Sequence, residues 1–194
     1  MKKIAASLMS YIYKLGFIEE GELDTYIYGM DIFLSSLLEV VSIIVISLAF
    51  DNFVETVLFF LAFIPLRIFA GGYHADTRLR CYLISLVVYL VFTFILSLLN
   101  QSTYTIVAVI GIIVSIFSIL LFAPVIHQNK KVNNYEIKNY RKFSIIICSV
   151  QCIIYLMFTL LSKINIFLIS AVLGTVAVSL SMWIALIKNK IKEM

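Results

Sequence analysis

An all-α, polytopic membrane bundle is the fold class this chain predicts, with about six transmembrane helices following an N-terminal amphipathic interfacial helix. Three observations predict it. Of 194 residues, 62% are hydrophobic and only 13% charged, whereas water-soluble chains run at roughly 45–50% apolar and about 25% charged. Six stretches each supply the ~20 mostly apolar residues that a helix needs to cross a bilayer core. Only two prolines and seven glycines interrupt them, which leaves little chain for long irregular loops. Lipid offers no water to a bare backbone, so such runs must close their hydrogen bonds internally, as helices.

The first element is residues 3–16. Lys3, Ser7, Ser10 and Lys14 recur at helical spacing among Ile4, Leu8, Met9, Tyr11, Ile12 and Leu15. This is a narrow polar stripe on an apolar helix, and Gly16 is its natural stop. Such a helix lies in the membrane interface or packs on the inner face of the bundle, as an anchor or as part of a substrate grip. Met1-Lys2-Lys3 resembles the start of a signal peptide. However, Ser7, Ser10 and Lys14 break the apolar run and no small-x-small cleavage site follows, so a cleaved signal is rejected. Glu19, Glu20, Glu22 and Asp24 then form an acidic patch, either a solvated face or a partner for basic residues later in the chain.

The spans follow at roughly 31–50, 52–70, 79–99, 103–125, 143–162 and 164–187. Pro65 should bend the second near its end. Basic residues orient the set. With the N-terminus in the cytoplasm, the inner segments carry fourteen of the fifteen lysines and arginines, and the outer turns only Lys163. The chain is therefore expected to be a single membrane domain, 1–194. It has a cytoplasmic or interfacial segment 1–30, a bundle 31–187 holding a catalytic element 67–81 and a basic cytoplasmic loop 127–142, and a cytoplasmic tail 188–194.

Chemistry concentrates at Arg67-Ile-Phe-Ala-Gly71-Gly72-Tyr73-His74-Ala75-Asp76-Thr77-Arg78-Leu79-Arg80-Cys81. This polar, glycine-broken island separates two apolar runs and sets a proton acceptor and a thiol seven residues apart, the ingredients of a cysteine nucleophile with a histidine base. Within one straight helix the two would stand on the order of 10 Å apart, too far for proton transfer, so the chain must turn between them. Gly71-Gly72 supplies the freedom, and Asp76 or Thr77 can cap a new helix with Cys81 about one turn inside it. There the helix dipole, Arg78 and Arg80 favour thiolate. The plainer reading makes the cysteine a small apolar filler and the histidine an inert interfacial residue.

Other groups are read more simply. Cys148 and Cys152 share one helix face, lack further metal ligands nearby, and are expected to pack in the core; no metal or cofactor is predicted. Glu39 and Gln151, deep in their spans, should face the bundle interior or pair with a polar group. Lys130, Lys131, Lys138, Arg141 and Lys142 serve topology and anionic lipid, or else hold an acidic peptide. Nucleic acid is not an expected partner.

The island resembles the core of the accessory gene regulator B family, bacterial membrane cysteine peptidases that process the propeptides of cyclic quorum-sensing signals. Arg67, Gly71-Gly72, His74-Ala75 and Cys81 match its order and spacing. Chain length, a basic N-terminal segment and an Ala-Pro before a short basic run, Phe122-Ala123-Pro124-Val125-Ile126-His127-Gln128-Asn129-Lys130-Lys131, match more loosely. The resemblance implies that His74 and Cys81 are the catalytic pair. It implies that Arg67, Gly71, Gly72, Lys130 and Lys131 serve a precursor peptide with an acidic C-terminal tail. It also implies an acyl-enzyme on Cys81, ring closure to a thiolactone or lactone, a homodimer, and a bacterial cytoplasmic membrane location. The competing functions are a small peptide exporter and an accessory membrane scaffold, neither with covalent chemistry.

Overall fold

The structure, a computed structural model, describes the chain apart from Met1, Glu20, residues 74–76, residues 126–132, Ser162, Met194 and the side chains of 191–193. Among the described residues there are seven helices: α1 Lys2–Lys14, α2 Leu23–Ala49, α3 Phe53–Ala70, α4 Arg78–Leu98, α5 Gln101–Phe122, α6 Asn134–Leu160 and α7 Ile166–Glu193. All but α1 are long and apolar enough to cross a membrane. The chain forms two compact units, Met1–Phe50 with Asp76–Tyr89 and Asp51–Ala75 with Leu90–Met194.

In the first unit α1 packs on α2 through Ala5 and Met9, which are buried and one turn apart. The turn after α1 closes at Gly16, whose φ of +79° is a conformation glycine adopts without steric cost. Ile4, Leu8, Tyr11 and Leu15 remain exposed along one face, as an interfacial helix requires. α2 begins eight residues before the expected span. At 1.5 Å per residue, 27 helical residues extend for about 40 Å, longer than the ~30 Å core of a bilayer. Hydropathy marks the part in lipid, while the helix runs on through Gly29 to Leu23. Ser42 Oγ and Tyr82 Oη lie 3.0 Å apart and tie α2 to the start of α4.

The second unit is built around α7, against which α3, α5 and α6 pack. Its core holds Leu66, Ile119, Cys148, Val178 and Met182. Two glycines permit the closest approaches. A Cβ at Gly174 would strike the Phe59 carbonyl, and one at Gly111 the Val172 side chain. Small residues at such crossings are how membrane helices gain van der Waals contact where lipid supplies no hydrophobic drive. Polar side chains satisfy one another here. Gln151 Nε2 donates to the Ala62 carbonyl at 2.9 Å, and Tyr155 Oη lies 2.8 Å from Thr175 Oγ1. Gln151 thus faces the interior, as expected.

Two further helix ends differ from the hydropathy reading. α6 starts at Asn134, nine residues before the expected span, so half of the expected basic loop is helical. Asn133 N donates to Glu136 Oε2 at 3.0 Å, the backward half of a capping box, and this starts the helix in polar sequence. α7 continues to Glu193 through what was read as a tail. α3 runs through Pro65 to Ala70, the end that the hydropathy reading gives it.

Candidate active site

Of the candidate site residues, His74, Lys130 and Lys131 lie outside the described residues, as do Ala75 and Asp76. The chain on either side of residues 74–76 is described, and each flank has its own construction.

The flank before His74 is a clamped turn. Gly71 has φ +74° and Gly72 φ +129°, values that a side chain makes costly. Gly71 N donates to the Arg67 carbonyl at 3.1 Å, closing α3. Gly72 N then donates to the Val125 carbonyl at 3.2 Å, and Val125 N to the Ala70 carbonyl at 2.9 Å. This short parallel bridge fastens the glycine pair to the chain just past Ala123-Pro124. Tyr73 N donates to the Ser181 carbonyl on α7 at 3.0 Å. Arg67 organises the whole turn. Its guanidinium donates to the carbonyls of Gly71 and Tyr73 and to Ser181 Oγ at 2.9 Å. The Ser181 hydroxyl donates its own hydrogen to the Val178 carbonyl, so a lone pair is left to face the arginine. Lys188 Nζ stands 4.9 Å from the centre of the Tyr73 ring, a cation–π geometry. A Cβ on Gly71 would run into the Val125 carbonyl, and one on Gly72 into the Arg67 guanidinium.

The flank after residues 74–76 is a capped helix start. Thr77 Oγ1 accepts from Arg80 N at 3.3 Å, and the Thr77 carbonyl accepts from Cys81 N at 3.0 Å. Thr77 is therefore the N-cap, and Cys81 is the fourth residue of α4, exposed. That is the placement the spacing required, one turn inside the helix. Arg78 departs from expectation. It forms an ion pair with Asp31 of α2 and its guanidinium lies 5.3 Å from the centre of the Tyr28 ring. Its charge is thus largely compensated, which leaves Arg80 as an exposed cation in the first turn of α4.

Sequence reasoning missed Asp31, Ser181 and Lys188. The signal for Asp31 was present: an acid at the mouth of an apolar span needs a partner. Nothing local marks Ser181 or Lys188, whose partners lie more than a hundred residues earlier. Cys148 and Cys152 are buried on α6, with their sulfurs 3.9 Å apart, beside an apolar cavity of about 290 Å³ lined by Ile112, Ile116, Ile119 and Leu156. They pack in the core, as expected.

The accessory gene regulator B family matches residues 1–186. AgrB-like protein 1 of Clostridium perfringens strain 13 is 26% identical over 167 residues, 85% of this chain and 88% of that protein. The AgrB-like protein of C. perfringens strain SM101 is 26% identical over 120 residues, 59% of this chain and 56% of the relative, so this chain spans only about half the length of that protein. FsrB of Enterococcus faecalis strain OG1RF is 35% identical over 69 residues, 36% of this chain and 28% of that protein. No solved structure matches the chain. A chain with six helices long and apolar enough to cross a membrane, whose family match runs almost end to end, belongs to the accessory gene regulator B family.

Proposed function

We propose that this protein is a membrane-embedded cysteine endopeptidase that removes the C-terminal part of a signal precursor peptide and promotes closure of the remainder into a ring. The observation that carries this reading is Cys81. It is exposed on the first turn of α4, seven residues after His74 in the sequence.

The Cys81 thiolate attacks the scissile carbonyl of the precursor. The C–N bond breaks, and His74, having taken the thiol proton, returns it to the departing amine. The N-terminal part of the precursor stays on Cys81 as a thioester. A nucleophile within that peptide, a cysteine thiol for a thiolactone or a hydroxyl for a lactone, gives its proton to His74 and attacks the thioester carbonyl. The new C–S or C–O bond forms as Cys81 leaves as thiolate. Exchange of thioester for thiolactone is nearly balanced in bond energy, so it competes with hydrolysis only where water is scarce. Tethering provides a high effective concentration for ring closure. Arg67, Gly71 and Gly72 serve substrate binding through the turn they build, since the N–H groups of both glycines and the Gly71 carbonyl are bonded within the chain. Lys130 and Lys131, followed by the helical cations Lys138, Arg141 and Lys142, attract an acidic precursor tail. The protein acts in the bacterial cytoplasmic membrane as a homodimer, with both termini and the catalytic pair on the cytoplasmic side.

Processing of a co-expressed precursor tests the reading. Cys81→Ala and His74→Ala are each expected to abolish cleavage while the protein still accumulates in the membrane. Wild-type cleavage by either variant would remove the pair from the chemistry. Alkylation of Cys81 separates this reading from an exporter or scaffold, which would keep working.

A further inference from the structure

We propose that Asp31 is a positioning residue for Cys81: its buried carboxylate on α2 grips Arg78 and so fixes the first turn of α4, the turn that carries the thiol. This inference rests on the reading of Cys81 as the nucleophile.

Asp31 is the one buried carboxylate among the described residues, 5% exposed. Placing a carboxylate out of water is costly unless a charge and hydrogen bonds meet it, so its partner identifies its purpose. That partner is Arg78, the first residue of α4. Tyr28, one helical turn before Asp31, faces the same guanidinium. Ser42 then meets Tyr82 at 3.0 Å, one turn after Arg78. Two grips from α2 thus bracket Cys81, at the positions three before and one after it. The N-terminal turn of a helix has no preceding turn to hold it, and here it follows directly on the glycine-rich island. Asp31 supplies the missing restraint. It also cancels much of the charge of Arg78, which would otherwise act on the sulfur from one turn away.

The test uses the full-length protein in liposomes and N-ethylmaleimide as probe, with the adduct measured separately at Cys81, Cys148 and Cys152 by peptide mass. Asp31→Asn is expected to speed alkylation of Cys81 at least fivefold, because the turn is released and Arg78 is no longer compensated. Cys148 and Cys152, buried in the other unit, should stay as slow as in the wild type. Asp31→Glu, which keeps the charge, should remain within twofold of wild type, and Asp31→Asn/Arg78→Gln, which frees the turn but removes the cation, should lie between wild type and Asp31→Asn. Processing of the co-expressed precursor should move the opposite way, falling at least tenfold in Asp31→Asn and less than threefold in Asp31→Glu. An unchanged Cys81 rate in Asp31→Asn overturns the proposal, and so does a joint rise at all three thiols, which is general unfolding. If Cys81→Ala still processes precursor, the endopeptidase reading fails, while the alkylation comparison still decides whether Asp31 holds the turn.

Discussion

Arg67 shows how a motif residue earns its place by what it binds within the chain. Its fork meets two carbonyls and a hydroxyl, and hydrogen bonds from a charged donor are worth about 1.5–3 kcal/mol each. Lysine has a single point charge and no fork. Arg67→Lys should therefore lose nearly as much as Arg67→Ala, with precursor processing down at least tenfold in both, read by cleavage in membranes. Equal activity of Arg67→Lys and wild type would mean that only the charge matters. Gly71→Ala should be as damaging, since the added methyl meets the Val125 carbonyl. Gly21→Ala, also at positive φ but with nothing within 4 Å, should cost only about 1 kcal/mol and leave processing intact. At this scale the sequence exposed the motif and the need for a turn before a capped helix. It gave no hint that Ser181 takes the third bond from Arg67, because that contact joins residues 114 positions apart.

Among the elements, α7 is the one that α3, α5 and α6 all meet. Its approach to α3 depends on Gly174, which leaves room for the Phe59 carbonyl. Overpacking a tight crossing costs about 1–3 kcal/mol. Gly174→Val should accordingly lower the thermal midpoint in detergent by several degrees, whereas Gly29→Val, with open space around it, should leave it unchanged. A midpoint unchanged by Gly174→Val would show that α3 and α7 are not held at this distance. Six spans were readable from apolar run length alone, because lipid imposes a minimum length on each helix. The ends were not. Hydropathy stops at the bilayer edge, while α2 and α6 continue into water on hydrogen bonds and caps, as Asn133 and Glu136 do for α6. The turn at Gly16 was readable because glycine punctuates a helix through its own backbone, with no distant partner needed.

For the whole molecule, the proposed orientation and chemistry are linked. Fourteen of fifteen basic residues fall on one side of the spans under a cytoplasmic N-terminus, which puts the start of α4 on that same side. Single cysteines placed at Asp51, Asn100 and Lys163 in a background lacking the native thiols should react with an impermeant maleimide in intact cells. Those at Lys14, Lys138 and Lys190 should react only after permeabilisation, and the reverse pattern would invert the protein. The central claim is that Cys81 carries the peptide between cleavage and ring closure. Rapid acid quench of the membrane protein with its precursor, followed by peptide mass analysis, tests it most directly. The account predicts an N-terminal precursor fragment attached to Cys81 and released by neutral hydroxylamine, as a thioester is. Cleavage that proceeds in Cys81→Ala, with no adduct at Cys81 in the wild type, would contradict it.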